Sequence, residues 1–411
     1  MPVMRSASAT SPRTPPGRAI VAAILAGAIG WIGVVWIGLQ LADQKAANLG
    51  FDLELLLGAG RDVAAGRSPY AADLLAGGAP LATSLFYSYP PPVAQVFSVL
   101  AGVPSRLALV LWVLGAVAAF LVVTELLRRR LAPQRPARQV LLAAAACLPL
   151  TLPFAVGVLF GNLDIWFPFL YGAMLLAVVA PERATAISAG AGLAAASLKL
   201  HPASIGVWFL ARAVRDQDVG RRKTWLPVVV TAAVAVVVVV VLSLVLGGTR
   251  PWLDYVEVVR AGAGAAIVDP RNAGIAAQVA GVFGGGDGLA RSLHVVVGAA
   301  AVLVTVWAAW RRSDPVESFA WAAAASLATL PVTWYHYPSA MIPIAVAAIL
   351  RASGETARSV ALLITAGAVV AAVALVWLPL LWVAIGLIVT AARVSGAGSS
   401  TSSMAPVRAT G

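Results

Sequence analysis

The sequence predicts an all-α polytopic membrane protein, and three observations predict it. Of 411 residues, 60% are hydrophobic and 11% charged, with a mean hydropathy of +0.89, a balance typical of chains solvated by lipid. Apolar runs of about 20 residues, enough to cross roughly 30 Å of hydrocarbon, recur along the whole length. The net charge of +12 comes from short basic clusters between those runs. That is the positive-inside pattern and not the continuous basic face of a nucleic-acid binder.

The elements follow in order. Residues 1–17, rich in Ser, Pro and Arg, read as a disordered cytoplasmic tail, residues 18–393 as a single transmembrane domain and residues 394–411 as a second such tail. The run at 19–42 exceeds a signal-peptide core and reads as a retained first span. Residues 43–92 form a large first external loop with short helices, holding Asp52, Glu54, Arg61, Asp62, Arg67, Tyr70, Asp73, Tyr87 and Tyr89. Val93–Gly102 is apolar but too short to span, so it reads as half-buried or re-entrant.

Spans are then expected near 107–127, 139–158, 162–180, 184–200, 201–213 and 225–247. After a second external loop at 248–290 they continue near 292–310, 316–333, 337–350, 358–375 and 377–392. The last two are split at Leu378-Pro379, since proline starts a helix better than it continues one. This gives about twelve spans with both termini cytoplasmic, and it puts 20 of the 29 Lys and Arg on the cytoplasmic side.

With that topology the unusual polar residues share the external face. They are Asp52, the Tyr-Pro segment at Tyr89, the Asn162–Asp164 turn, the Lys199–Pro202 junction and Trp334–Pro338. One cysteine, Cys147, and three scattered histidines exclude a disulfide framework and a zinc site. No Asp-x-Asp pair occurs on the external face, the one in the chain being Asp216-Gln217-Asp218 in a cytoplasmic basic stretch, so neither a metal nor another cofactor is expected.

Several of these segments carry a resemblance. Asp52-Leu53-Glu54, Gly66-Arg67-Ser68-Pro69-Tyr70 and Tyr89-Pro90-Pro91-Pro92 resemble the first-loop pattern of glycosyltransferase family 87. Gly161-Asn162, the stretch from Ala191 to Pro202 ending Lys199-Leu200-His201-Pro202, and Leu330-Pro331 through Tyr337 resemble three further motifs of it. The likeness runs from about residue 20 to 350, although Asn272–Gln278 lacks the family's Asn-Gln-Ser run.

The resemblance implies a GT-C-type fold and an enzyme of the plasma membrane with its site on the extracytoplasmic side. Its donor would be a polyprenyl-phosphate sugar, with mannose first and arabinofuranose as the alternative. The acceptor would be a glycolipid or cell-envelope glycan, and membrane lipids would be the remaining partners. No nucleic acid is involved.

Roles follow from the chemistry of that transfer. A phosphate leaves readily once its charge is met, so the acceptor hydroxyl chiefly needs a base. Asp52 matches the family's position for it, and a lone base implies inversion, because retention wants a second carboxylate nearby as nucleophile. Glu54 points to another side of a helix. Asp52 also fits a helix N-cap before the stripe Leu55, Leu56, Ala59 and Val63.

His336 is the second catalytic candidate, by donation to acceptor or phosphate, with an interfacial aromatic belt as the bland alternative. Lys199 and His201 are placed to bind the donor phosphate, with snorkelling as the alternative for the lysine. Asn162, Asp164, Tyr89, Trp334 and Tyr337 complete the substrate-binding candidates. A multi-span transporter or flippase is the rival class, but the halves show no internal repeat and the polar groups avoid the midplane.

Overall fold

The computed structural model describes residues 16–43, 49–71, 75, 86–199, 203–216, 219–262 and 267–400, and within these every regular element is helical. Helix α1 (Pro16–Asp43) is followed by α2 (Phe51–Ala64) and the short α3 (Pro91–Ser98), whose first turn takes Pro91 and Pro92 where no backbone donor is needed. Then come α4 (Ser105–Leu131), α5 (Ala137–Cys147), α6 (Leu152–Phe160) and α7 (Phe167–Val179). Next, α8 (Arg183–Ser197) starts at a capping box in which Glu182 and Thr185 exchange side-chain-to-backbone bonds.

Beyond it lie α9 (Ala203–Arg215), α10 (Val219–Gly247), α11 (Arg250–Gly262), α12 (Ile275–Val282) and α13 (Asp287–Arg311). The chain closes with α14 (Pro315–Ala328), α15 (Ile342–Arg351), α16 (Gly354–Val373) and α17 (Leu380–Ser400). Asp314 caps α14 by accepting from Val316 and Glu317 N–H groups.

Among the described residues, six helices are long and apolar enough to cross a membrane. They are Val21–Ala42 of α1, α4, Trp225–Gly247 of α10, α13, α16 and Leu380–Ala397 of α17. Their outer faces carry exposed Val, Leu and Ile, as at Val234, Val237 and Val241 of α10, which is the surface lipid solvates.

The expectation of about twelve full spans is not met by length. The run at 139–158 is two helices, α5 and α6, bent by 75° across a 3₁₀ turn at Leu148–Leu150 and Thr151. Pro149 and Pro153 remove donors there, so one straight helix would leave carbonyls unpaired. The runs near 162–180, 184–200, 201–213, 316–333 and 337–350 form helices of 10 to 17 residues, too short to cross alone. Hydropathy reads these as spans because they are largely apolar, but much of that apolar surface is buried against protein. Tyr171, Met174 and Leu175 of α7, Trp208 and Phe209 of α9 and Phe319 of α14 form the largest buried cluster.

Other boundaries shift less. Val93–Gly102 is the short α3 and following turns, not a span. It packs on α2, where a Cβ at Gly60 would lie 2.5 Å from the Phe97 carbonyl. The second polar loop contains α11 and α12, and α17 continues past 393 to Ser400. The break at Leu378-Pro379 lies between α16 and α17 as expected. Residues 1–15 and 401–411 of the expected tails, and Asp73, lie outside the described residues.

Candidate active site

Two glycines bring the first part of the site together. Gly50 enters α2 with φ 75° and donates from its N–H to the Leu159 carbonyl at 2.7 Å, which docks the start of α2 on the end of α6. Gly161 ends α6 with φ 66°, and a Cβ there would lie 2.8 Å from Leu53 Cβ and 3.4 Å from Gly50 Cα. Only glycine combines that backbone with that approach. The Phe51 and Phe160 rings stack over the junction at 4.5 Å. The next residues along each chain, Asp52 and Asn162, are therefore neighbours although 110 positions apart.

Asp52 is not the N-cap of α2. Gly50 holds that place, and Asn162 Nδ2 donates to Asp52 Oδ2 at 2.5 Å. Burial pushes the Asp52 carboxyl above its usual range, an effect offset in part by the Asn162 bond and the charges of His336 and Lys199 and reinforced by Asp164. Asn162 in turn caps the 3₁₀ turn Leu163–Trp166 by accepting the Asp164 N–H on Oδ1 at 3.0 Å.

Asp164 is completely buried, is the counter-ion of Lys199 and also faces His336. Its Oδ1 accepts from Lys199 Nζ at 2.9 Å, and its Oδ2 lies 3.1 Å from His336 Nε2. Lys199 Nζ also donates to Asn162 Oδ1 at 2.9 Å. It sits 4.5 Å from the centre of the Tyr337 ring and 5.9 Å from that of Tyr89, a cation-π enclosure. The His336 ring meets Phe160 and Tyr337 edge-on. One network thus joins Asp52, Asn162, Asp164, Lys199 and His336, with Tyr89 and Tyr337 as walls.

The remaining candidates fall differently. Trp334 lies apart from this network, its ring 5.7 Å from the guanidinium carbon of Arg271, which also pairs with Asp269 at 2.7 Å. His201 lies outside the described residues. Glu54 pairs with Arg61 on the half-exposed side of α2, away from Asp52. Arg250 and Arg260 pair with Asp254 and Glu257 on their own helix. Sequence reasoning missed Ser339, whose hydroxyl donates to the Asp164 carbonyl at 2.9 Å. Its signal was its place three residues after His336, in the middle of the 3₁₀ turn Tyr337–Met341.

A buried carboxylate beside a lysine and a histidine, walled by tyrosines, is chemistry for receiving a proton and an anion at once. The family model of glycosyltransferase family 87 matches residues 87–333, more than half of the chain. The chain belongs to glycosyltransferase family 87. It is therefore a membrane-embedded glycosyltransferase with sugar donor and acceptor as substrates. The match takes in Tyr89, Asn162, Asp164 and Lys199, while Asp52, Trp334, His336 and Tyr337 flank it. No curated protein matches the chain.

Proposed function

We propose that this family 87 glycosyltransferase moves a sugar, mannose first, from a polyprenyl phosphate to a glycolipid or cell-envelope glycan, with inversion. The reaction takes place on the extracytoplasmic side of the plasma membrane, on a GT-C-type frame with both termini cytoplasmic. The observation that carries the reading is the convergence of Asp52, Lys199 and His336 on the single amide–carboxylate pair Asn162 and Asp164.

The acceptor oxygen attacks the anomeric carbon opposite the phosphate as its proton passes to the Asp52 carboxylate. The bond from that carbon to the phosphate oxygen breaks, and its electrons remain on the departing polyprenyl phosphate. The donor diester gains negative charge as it leaves, and Lys199 with His336 meets it. Tyr89 and Tyr337 offer the faces against which a sugar ring packs.

A lipid-linked donor also has somewhere to put its chain. An apolar cavity of about 530 Å³, lined by residues including Cys147, Ile342, Val346, Ile364 and Ile388, reaches Pro338 and Ser339 beside the network. The test is transfer from radiolabelled polyprenyl-phosphate mannose in membranes, wild type against Asp52→Asn. Loss of about 10³-fold on substitution is expected for a general base. Equal transfer by both removes Asp52 as base.

A further inference from the structure

The hydrogen bonds around Asn162 leave its side chain one orientation. Its Oδ1 accepts from Lys199 Nζ at 2.9 Å and from the Asp164 N–H at 3.0 Å, which occupies both lone pairs. A flipped amide would set its NH₂ against two donors and its oxygen against the Asp52 carboxylate, unfavourable on both sides. The backbone is held as firmly. The Asn162 N–H donates to the Gly157 carbonyl at 2.9 Å, Gly161 turns the chain just before it, and the residue is 4% exposed. Its NH₂ group therefore has one place to point, at Asp52 Oδ2.

We infer that Asn162 is a positioning residue that holds Asp52 by Oδ2, leaving Oδ1 as the oxygen that takes the acceptor proton. The inference rests on the reading of Asp52 as the base and deepens it. An amide is the right spacer for the task. Lys199 in direct contact would neutralise the carboxylate and weaken it as a base, whereas the amide carries the lysine's position to Asp52 and keeps its charge a step away. Among the described residues, Asn162 is the hydrogen-bond partner of Asp52, so no second group substitutes for it. The other titratable groups acting on Asp52 are His336, Lys199, Asp164, Tyr89 and Tyr337.

Asn162→Asp isolates the role. A carboxylate there still caps the 3₁₀ turn and still accepts from Lys199, while the donor to Asp52 is replaced by a like charge. The full-length enzyme is assayed with whichever of polyprenyl-phosphate mannose or arabinofuranose the wild type transfers. A kcat lower by about 100-fold is expected, with donor KM within about threefold, as for a lost transition-state proton acceptor. The acid limb of the pH–rate profile moves up by about one unit, since a donor to the ionised form is replaced by a like charge. Asn162→Ser, which keeps a cap and adds no charge, moves the limb the same way by less and serves if the aspartate variant fails to fold.

A wild-type profile in the variant overturns the inference, and so does a lowered kcat with an unmoved limb, which marks a merely structural cap. Asp52→Asn, run alongside, separates the two readings. If it is active, the base assignment fails and takes this one with it. If it is inactive while Asn162→Asp behaves as wild type, the positioning role alone falls.

Discussion

The two ends of α4 gather charge in different ways. At the Arg128 end, arginines meet nearby carboxylates and the carbonyls that helix C-termini leave unpaired. Arg128 takes both oxygens of Glu125 at 2.7 and 3.0 Å and donates to the Pro133 and Arg135 carbonyls at 3.0 and 2.8 Å. Arg212 and Arg215 donate to the Arg312 and Ala309 carbonyls at 2.9 and 2.8 Å, and Arg135 to that of Ala352 at 2.8 Å. Among the described residues, no arginine binds Asp52. Lysine, histidine, asparagine and two carboxylates bind side chain to side chain, across segments far apart in sequence.

Guanidinium groups do not exchange protons at accessible pH and suit permanent capping. Groups that gain, lose or share a proton cluster where chemistry is done. The contrast teaches that burial of charge alone does not mark a site; the kind of partner does.

The largest test of that contrast is pH. Because burial holds the Asp52 carboxyl above the ordinary value of 3.8, transfer falls on acidification with a midpoint above that value, tenfold per unit below it. The sign for stability is opposite. A raised folded value means the folded protein keeps a proton that the unfolded chain releases. That contribution is present below the unfolded value and lost as pH rises through the folded one. A transfer rate that is flat down to pH 4 would remove the base from this carboxyl.

Next in size, Asp164→Ala leaves Lys199 a buried cation without its counter-ion. Unfolding in detergent should show a loss of about 3–5 kcal/mol together with loss of transfer. An unchanged melting curve would mean that the network is not under charge stress. At the other end, Arg212→Met should cost about 1 kcal/mol in the same assay, because the Arg312 carbonyl loses one of two charged donors and keeps Arg215 at 3.1 Å. Turnover per folded molecule should stay within about twofold; a larger fall in turnover would couple the two ends.

The smallest effect is expected at Glu54→Gln. The Glu54 and Arg61 side chains are 46% and 44% exposed, so the pair is worth less than about 0.5 kcal/mol, and transfer should not change. A strong loss of activity there would make Glu54 a second working carboxylate and reopen retention.

Much of the site was legible as residues and little of it as geometry. Lys199 stood out because a cation at membrane depth is costly unless used, His336 because an imidazole titrates near working pH, and Asp164 as a polar residue in an external turn. Which of them touch was not readable. Asp164 looked like a sugar-facing turn residue and is a buried counter-ion; Trp334 shared a motif with His336 yet packs with Arg271. Ser339 went unnoticed because a serine after a proline carries no special weight until its hydroxyl finds a carbonyl far away.

By itself, the sequence determined that this is a helical membrane protein and where its long apolar helices and polar loops lie. Hydropathy and proline placement act locally, through the transfer of side chains from water and the loss of backbone donors. Only the tertiary structure decided which apolar helices stop short and bury against protein, and that Asp52 meets Asn162 across two left-handed glycines. Both outcomes depend on contacts between segments far apart in the chain, and a pattern read along the chain carries no distance between them.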